Sequence, residues 1–394
     1  MQRRRTDRPS YPRRARWSAL ACIAVVGAVP LAAVASVSAD RGAPHGAVDA
    51  RPAQESTTIR LVFGGDVLMH SPLWRQAARN ARDAGRSGLD FRPMFDDVRG
   101  MLGAVDLAVC HLETPVAPPG ERLSTYPLFG VPREVVPALA DAGFGHCSTA
   151  SNHVLDRGVA GIEATMAALG RAGITQSGMA SDESGAEPFI RDVAGVQVAL
   201  LSYTYGYNGI RPPAGEPWRS NLIDPARILR DAATARARGA QVVVASLHWG
   251  IERSHVPSDE QRRVARAVTV PGGVDLIVGH HAHVLQPIEQ VNGKWVLYGL
   301  SNLVSNMPVD SRWPAASQDA ALVEVAVTVG PAGVAVARPV AYPTWVDKRA
   351  GWTIRVLTPQ SAARLGADAR ASLERTQEIL EGFVVAETSA STNP

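Results

Sequence analysis

Five short apolar runs in this chain each lead into a side chain that can bind a metal ion or exchange a proton. The side chains that follow the runs are Asp66, Glu113, Asn152 with His153, His248, and His281 with His283. Short apolar runs bounded by Gly or polar residues predict buried β-strands. Because the carboxyl ends of parallel strands meet at one edge of an open α/β sheet, the pattern predicts an α/β fold with a polar site at that edge. A lone Asp after a strand is more often a helix cap, which does not account for five such ends in succession.

The segment Asp275–Glu289 shows the pattern most clearly, since it contains three histidines within four positions. The apolar run Leu276–Val278 predicts a strand, and Gly279 ends it. His281 and His283 are two positions apart, so an extended backbone would place both side chains on one side. Imidazole is the commonest metal ligand, which favours a metal site over the alternative of a polar loop with surface histidines.

Other stretches predict the elements between and after these runs. Strands are predicted at Thr58–Phe63, Asp106–Cys110, Gln241–Leu247 and Trp295–Tyr298, with antiparallel pairs at Phe189–Val193 with Val196–Tyr203 and at Ala321–Val329 with Val334–Tyr342. A helix is predicted over Pro359–Glu381. Two segments rich in Gly and Pro, Val116–Pro132 and Tyr203–Asn221, predict long loops, which in compact domains are often functional.

The ligand types restrict the metal. Oxygen and imidazole ligands without thiolate suit Mn, Fe, Zn or Co rather than a structural zinc site built from Cys. Several such ligands from separate strands could hold two divalent ions about 3.5–4 Å apart, which clamp the attacking and leaving oxygens of a displacement.

The motifs resemble those of a known family. The matching segments are Gly64-Gly65-Asp66, Leu112-Glu113-Thr114, Ser151-Asn152-His153-Val154-Leu155-Asp156-Arg157-Gly158, His248-Trp249-Gly250-Ile251-Glu252 and Gly279-His280-His281-Ala282-His283. They are similar, in order and spacing over about Thr57 to Tyr342, to the CapA family of capsule and poly-γ-glutamate biosynthesis proteins. That family belongs to the calcineurin-like metallophosphatase superfamily. The resemblance implies a four-layer α/β/β/α sandwich with a two-metal site at one edge.

The resemblance also implies six metal ligands, which are Asp66, Glu113, Asn152, His248, His281 and His283. In the family pattern the first and the last of these hold one ion, and Glu113 takes the place of a bridging carboxylate. The remaining three hold the second ion.

Two further residues receive catalytic roles from the same comparison. His153 would stay off the metal and act as a general acid toward the leaving group. Asp156 would either orient His153 or cap the helix that follows Gly158.

The chain departs from the superfamily pattern at several positions. Leu68 stands where the superfamily has a metal-binding His two residues after the first Asp, so one ion would be held weakly or be absent. His70 could substitute, although a bystander role is favoured. His111 stands where the family usually has Asn, and is expected to be an extra ligand or a hydrogen-bond partner of Glu113.

The N-terminus predicts export from the cytoplasm. Arg-rich residues 1–16 precede an apolar run from Ala19 to Val37, and small residues up to Ala39 form a cleavage site. Residues 1–39 are therefore expected to be a signal peptide or, if uncleaved, an N-terminal membrane anchor. Residues 40–56 would be a linker, residues 57–345 the CapA-like domain and residues 346–394 a C-terminal extension of strand, helix and tail.

The charge and the cysteines restrict partners and cross-links. Residues 1–16 carry seven Arg and one Asp, so the rest of a chain with net charge +3 carries −3, which gives no reason to expect nucleic-acid binding. Cys110 and Cys147 lie near the ends of apolar runs. Buried thiols are favoured over a disulfide there, although an exported protein permits one.

Two functions follow from these features. The first is an exported, metal-dependent hydrolase that cleaves a phosphoester or amide bond during biosynthesis of capsule, poly-γ-glutamate or another anionic polymer. The alternative is a non-catalytic accessory or scaffold subunit of a membrane-bound complex for polymer synthesis and export, because a family resemblance does not establish catalysis. Membrane contact is expected only if the leader is uncleaved.

Overall fold

Two β-sheets lie face to face in the computed structural model, which describes residues 56–385. The strands in chain order are β1 (Thr57–Val67), β2 (Leu107–Leu112), β3 (Phe144–Ser148), β4 (Thr175–Ser177), β5 (Phe189–Val193), β6 (Val196–Thr204), β7 (Val242–His248), β8 (Leu276–His280), β9 (Leu285–Val291), β10 (Lys294–Leu300), β11 (Asp319–Gly330), β12 (Gly333–Val336), β13 (Val340–Asp347) and β14 (Thr353–Val356). The α-helices are α1 (Ser71–Asp83), α2 (Asp96–Leu102), α3 (Val135–Ala142), α4 (Gly158–Arg171), α5 (Pro225–Ala237), α6 (Asp259–Val268), α7 (Pro359–Leu365) and α8 (Ala367–Ile379).

The two sheets have related topologies. The first has the order β14-β13-β11-β1-β2-β3-β4, with β12 also paired to β11, and the second has the order β5-β6-β7-β8-β10-β9. Strands β1 to β4 run parallel to one another, as do β6, β7, β8 and β10. The predicted parallel arrangement of the central strands is therefore confirmed.

The alternation of side chains along the strands builds four layers. On β1, Leu61 and Phe63 point into the core between the sheets, whereas Val62 packs on the side of helices α1 to α4. On β7, Val244 points into the same inter-sheet core, whereas Ala245 packs against α5 and α6. Apolar residues on both faces of the central strands account for the near-continuous apolar runs in the sequence. The α/β/β/α sandwich is thus confirmed.

Several predicted elements differ in detail. The run Val334–Tyr342 forms two strands, β12 and β13, because both pair with successive parts of β11. The C-terminal helix is interrupted at Gly366, where φ is 106°, and becomes α7 and α8. Strand β9 was not predicted, whereas β14 is a strand of the C-terminal extension, where one was expected without bounds. Pro287 lowers the strand signal of β9, but β9 lies at the edge of its sheet, where a missing N–H donor is tolerated.

The C-terminal residues that the structure describes pack onto both cores. Ile354 of β14 belongs to the core beneath α1 to α4, and Leu380, directly after α8, is buried in the core between the sheets. The predicted signal peptide or anchor at 1–39 lies outside the described residues, as does nearly all of the linker at 40–56. Among residues 56–385, no helix combines the length and the apolar character needed to cross a membrane.

A disulfide joins the two cysteines, so the expectation of free buried thiols is wrong. Cys110 on β2 and Cys147 on β3 are directly paired in the strand register, with Cα atoms 4.5 Å apart. The two cysteines are 37 positions apart in the sequence, so no local pattern shows that they are neighbours. Parallel pairing of β2 with β3 creates it.

Gly279 continues β8 instead of ending it, and its lack of a side chain allows a close approach to β10. A Cβ atom at this position would lie 1.9 Å from the backbone oxygen of Tyr298 and 2.6 Å from Nε1 of Trp249. A backbone atom in a paired strand cannot move aside as a flexible side chain can, so only Gly fits here.

We expect Gly279→Ala to lower the free energy of unfolding by about 1–3 kcal/mol or more, because the added methyl group overpacks a paired strand. Gly100→Ala is the matched control, since a Cβ at this exposed position in α2 meets no atom within 4 Å. The free energy of unfolding of this control should rise by about 0.5–1 kcal/mol, because a helix interior favours Ala over Gly by that amount. Denaturant unfolding of both variants measures the difference in their free energies of unfolding. If Gly279→Ala were as stable as Gly100→Ala, the expected contact with β10 would be contradicted.

Candidate metal centre

The carboxyl ends of five strands meet at one edge of the sandwich. The six side chains predicted as metal ligands, Asp66, Glu113, Asn152, His248, His281 and His283, are all buried there. His283 lies 3.3 Å from Asp66 and 3.7 Å from Glu113, measured from ring nitrogen to carboxylate oxygen. His248 lies 4.0 Å from Glu113. The structure therefore brings all six residues into one cluster, although the first and the last of them are more than 200 positions apart in the sequence.

Asp66 is held by the other sheet. Its Oδ1 lies 3.1 Å from Nδ1 of His280, and its Oδ2 accepts a hydrogen bond of 3.1 Å from the backbone N–H of His281. Burial alone would raise the pKa of Asp66, but hydrogen bonds from His280 and His283 outweigh it and hold the pKa well below its ordinary value. Asp66 is therefore a carboxylate in the folded protein.

Glu113 has the opposite environment. Both of its carboxylate oxygens are buried and have no hydrogen-bond partner among the described residues. Burial raises the pKa of Glu113 well above its ordinary value, and the nearby positive charge of His283 only partly opposes this. A buried carboxyl group without a partner is costly, so the position fits a group that pairs with a cation.

Asn302 determines which nitrogen of His283 faces Glu113. The Nδ2 group of Asn302 donates to the carbonyl oxygens of His283 at 3.3 Å and Ser317 at 2.9 Å, so its Oδ1 is an acceptor. That Oδ1 lies 2.9 Å from Nδ1 of His283, which places a hydrogen on Nδ1 and leaves Nε2 toward Glu113. The sequence had assigned Asn302 no role in the site.

The backbone at His281 and His283 is not extended, so the predicted reason for their shared side is wrong. Their φ angles are 88° and 55°, in the left-handed region that non-glycine residues rarely adopt. A turn after β8 therefore directs both rings into the cluster. Left-handed residues of this kind tend to occur at functional sites. Nδ1 of His281 is buried and has no hydrogen-bond partner within residues 56–385, which again fits a cation.

His248 and Asn152 form the second half of the cluster. Nε2 of His248 lies 2.9 Å from Oδ1 of Asn152, and the rings of His248 and His281 are 4.8 Å apart. Asn208 accepts a bond of 3.2 Å from Nδ2 of Asn152, which turns Oδ1 toward His248. Tyr205 packs on His281 at 4.6 Å between ring centroids and is 49% exposed, so it forms the solvent side of this half.

Asp156 contacts His153 and does not cap a helix. Nδ1 of His153 lies 2.7 Å from Oδ2 of Asp156, which also accepts a bond of 2.7 Å from the backbone N–H of Phe129. Helix α4 begins without a side-chain cap. Of the two roles expected for Asp156, the geometry therefore fits the orientation of His153.

His111 does not contact Glu113 through a hydrogen bond, so that expectation is wrong. Its Nε2 lies 2.9 Å from Nδ1 of His248, and its Nδ1 lies 2.8 Å from Oγ of Ser148. Burial, together with the nearby His280, holds the pKa of His111 well below its ordinary value. The ring is therefore neutral and lies behind His248.

Asp66 is the candidate ligand at the end of β1, and the nearby Leu68 and His70 have other surroundings. Leu68 packs in the core beneath the helices. The backbone N–H of Asn306 donates to Nδ1 of His70 at 3.2 Å, and the His70 ring packs against Phe129. Burial lowers the pKa of His70 to about 4. Within the described residues His70 belongs to no group of potential metal ligands, and its bystander role stays a prediction.

Two members of the site entered the sequence reasoning only within the family motifs: His280 without a role, and Glu252 as a residue expected to shape the pocket. His280 bonds Asp66, and Glu252 places a carboxylate oxygen within 4.8 Å of the ligand atoms of His281 and His283. The signal for His280 was its position as the last residue of β8. The signal for Glu252 was its place four residues after His248, but nothing local shows that the loop folds back over the site.

Three groups of side chains in the cluster have the spacing of metal ligands. They are Asp66 with Glu113 and His283, Asp66 with His111 and His248, and Glu252 with His281 and His283. Glu113 and His281, which both have buried atoms without a hydrogen-bond partner among the described residues, are each a member of one of these groups. Carboxylate and imidazole donors suit a divalent transition metal, so the residues present fit such an ion.

Comparison with known proteins finds relatives in sequence and neighbours in fold. The chain is 34% identical over 194 residues to the PGA biosynthesis protein CapA of Bacillus subtilis, a match that spans 49% of this chain and 49% of that protein. It is 28% identical to the capsule biosynthesis protein CapA of Bacillus anthracis over 75% of this chain and 70% of that protein. Among solved structures, it is similar to the calcineurin-like phosphoesterase YfkN of Bacillus subtilis, with a TM-score of 0.44, 14% identity, and coverage of 82% of this chain and 98% of that chain.

The family assignment is carried by the sequence match that includes the whole cluster. Residues 60–307 match the family described as bacterial capsule synthesis protein PGA_cap. This range contains all six predicted metal ligands together with His153 and Asp156. Because it covers more than half of the chain, the chain belongs to the PGA_cap family of bacterial capsule synthesis proteins.

Proposed function

We propose that this chain is an exported, metal-dependent hydrolase that acts on a phosphoester or amide bond during the biosynthesis of capsule or poly-γ-glutamate. The polymer class comes from the names of the two CapA relatives. The reaction class comes from the site, in which buried carboxylates and imidazoles from both sheets converge with a histidine–aspartate pair.

The observation that carries the proposal is the Glu113 carboxyl group. Both of its oxygens are buried and have no hydrogen-bond partner within residues 56–385, although ring nitrogens of His283 and His248 lie within 4.0 Å. Desolvating a carboxylate costs several kcal/mol if no opposite charge compensates it. A protein that needed only a stable core would place an apolar side chain at this position. A divalent cation held by Glu113 and the neighbouring rings would supply the opposite charge that this carboxylate lacks.

The six ligands divide into two groups around Glu113. Asp66 and His283 would hold one ion, and Asn152, His248 and His281 would hold the other. Glu113 would contact both. Glu252 lies beside His281 and His283 and would face the same cations from the loop side. When bound, such ions supply Lewis-acid activation of water and of the substrate's oxygen.

The residues of the chain itself supply proton transfer. Asp156 fixes Nδ1–H of His153, so Nε2 is the ring nitrogen that can give a proton to a leaving group. The aromatic ring of Phe129 packs edge-on against His153 at 4.7 Å between centroids and limits its rotation. This geometry corresponds to the general-acid role expected for His153.

Export is part of the proposal and is supported by the Arg-rich, apolar N-terminus and by the Cys110–Cys147 disulfide. Disulfides persist in oxidising compartments outside the cytoplasm. The site would then act at the cell envelope or beyond it, where capsule polymers are assembled.

The first test is metal content. The full chain, purified without chelator, should contain about one to two divalent ions per molecule. We expect Glu113→Gln and the double variant His281→Ala/His283→Ala to lose most of this metal, because they remove ligand charge or ligand atoms. Elemental analysis measures the content, with His255→Gln as a control for a histidine outside the cluster.

Activity of the same preparations separates the two candidate functions. Hydrolysis of a simple phosphodiester or of poly-γ-glutamate, lost together with the metal, supports the hydrolase. Metal without hydrolysis of either substrate would instead support the accessory role in a polymer synthesis complex. A wild-type chain that takes up no divalent ion under any loading condition would refute the metal site itself.

Metal affinity should increase with pH. Burial alone would lower the pKa of His283, but Glu113 and Asp66 raise it to about 9, and the pKa of Glu113 is itself raised. At pH 7 this pair therefore holds at least one proton, which a cation must displace. Raising the pH toward 9 removes this competing proton. The dissociation constant of the metal should therefore fall by about tenfold per pH unit for each proton displaced.

Calorimetric titration in buffers of different ionisation enthalpy counts the protons released. Glu113→Gln cannot release a proton from its amide and should show a shallower pH dependence. An affinity that does not change between pH 6 and pH 9 would contradict the protonated state of the pair.

His153→Gln should retain the metal and lose turnover. Removing a general acid lowers kcat by about 10²–10⁴-fold, whereas the metal ligands are untouched. Asp156→Asn keeps an oxygen that can accept the hydrogen bond from Nδ1 of His153, so its kcat should fall less than that of His153→Gln. Steady-state kinetics on the phosphodiester, with metal content measured on the same samples, gives the comparison. An unchanged kcat in His153→Gln would exclude the general-acid role.

A further inference from the structure

A chain of hydrogen bonds runs from His248 into the interior of the first sheet. Nδ1 of His248 lies 2.9 Å from Nε2 of His111, and Nδ1 of His111 lies 2.8 Å from Oγ of Ser148. The Ser148 hydroxyl donates to the backbone oxygen of Cys110 at 3.3 Å. The chain therefore joins a candidate metal ligand to a carbonyl group that can only accept.

The direction of this chain decides which nitrogen of His248 is available to a cation. If Ser148 donates to Cys110, its oxygen accepts the hydrogen from Nδ1 of His111. Nε2 of His111 is then an acceptor, and His248 carries its hydrogen on Nδ1. Nε2 of His248 is left with a free lone pair that faces Oδ1 of Asn152 at 2.9 Å.

Two acceptors at this distance repel each other unless something positive lies between them. In the opposite direction, Nε2 of His248 donates its hydrogen to Asn152, which satisfies the pair without a cation. Nε2 then has no free lone pair with which to bind one. His111 is the member that makes both directions possible, because one nitrogen faces His248 and the other faces Ser148.

On this basis we infer that His111 is a positioning residue that holds His248 in the tautomer needed to bind metal. The inference rests on the proposed function, since it concerns the same site. His111 accepts the Nδ1–H of His248 and passes the hydrogen-bond chain to Ser148. A histidine that binds metal usually donates its other ring N–H to such a partner.

The surroundings of His111 favour positioning over direct ligation. Both ring nitrogens are taken by protein partners, so neither offers a lone pair to an ion. The ring is completely buried and stacks on His280 with centroids 3.9 Å apart and an interplanar angle of 13°. This packing prevents the rotation that would turn a nitrogen toward the cluster.

The test is a titration of the full, metal-free chain with Co²⁺, followed by its visible absorption. His111→Phe keeps the stacked ring and removes the acceptor, so we expect affinity to fall about 10–100-fold. His111→Gln retains a side-chain acceptor and should recover most of this loss. Ser148→Ala removes the far end of the chain and should weaken binding by about fivefold.

His146→Phe is the matched control. His146 is also completely buried in the first sheet and also bonds two hydroxyl groups, those of Thr175 and Ser177, but it lies outside the cluster. It should bind Co²⁺ with wild-type affinity. Circular dichroism and thermal melting without metal verify that each variant is folded. If His111→Phe does not fold, the His111→Gln and Ser148→Ala titrations decide the question.

The outcomes separate this inference from the proposed function. Wild-type affinity in His111→Phe, or equal losses in His111→Phe and His111→Gln, would overturn the positioning role while the metal site stands. A wild-type chain that does not bind Co²⁺ would overturn both. A loss in His111→Phe that His111→Gln restores, with His146→Phe unchanged, supports the inference.

Discussion

The Asp66 carboxylate ties the two sheets together at the edge where the candidate metal centre lies. It stands on the first sheet and accepts hydrogen bonds from the last residue of β8 in the second sheet and from the turn that follows it. Its backbone also donates to Ser301, beyond β10. A buried carboxylate needs such partners, since desolvation without them is costly. Asp66 therefore links the two sheets at this edge through both its side chain and its backbone.

Glu113 shows the opposite balance at the neighbouring strand. Asp66 offsets its burial with hydrogen bonds that lower its pKa. Glu113 accepts none from the part of the chain that the structure describes, so burial raises its pKa instead. The two carboxylates therefore differ in protonation because they differ in partners. A buried site that combines one ionised carboxyl group with one that has no hydrogen-bond partner among the described residues is arranged to accept positive charge. This contrast supports the metal-dependent function more directly than the family name does.

Residues outside the set of candidate ligands orient the side chains of the cluster through hydrogen bonds. Asn302 sets the orientation of His283, Asn208 that of Asn152, and Asp156 that of His153. Each is an amide or carboxylate from a different loop. Such outer partners fix ring orientation and tautomer, and metal sites depend on them nearly as much as on the ligands. They were largely absent from the sequence analysis, because a lone Asn or Asp in a loop has no local signature of its partner.

The sequence by itself determined the fold class, the central strands and the six side chains at their ends. It did so because buried parallel strands require continuous apolar runs, and because polar residues directly after such runs must lie at one edge of the sheet. Only the tertiary structure decided what these side chains do to one another. The left-handed turns at His281 and His283, the register that joins Cys110 to Cys147, and the place of His111 behind His248 all depend on contacts between distant segments. Those contacts form when the strands pair and the sheets pack, and no local pattern in the chain encodes them.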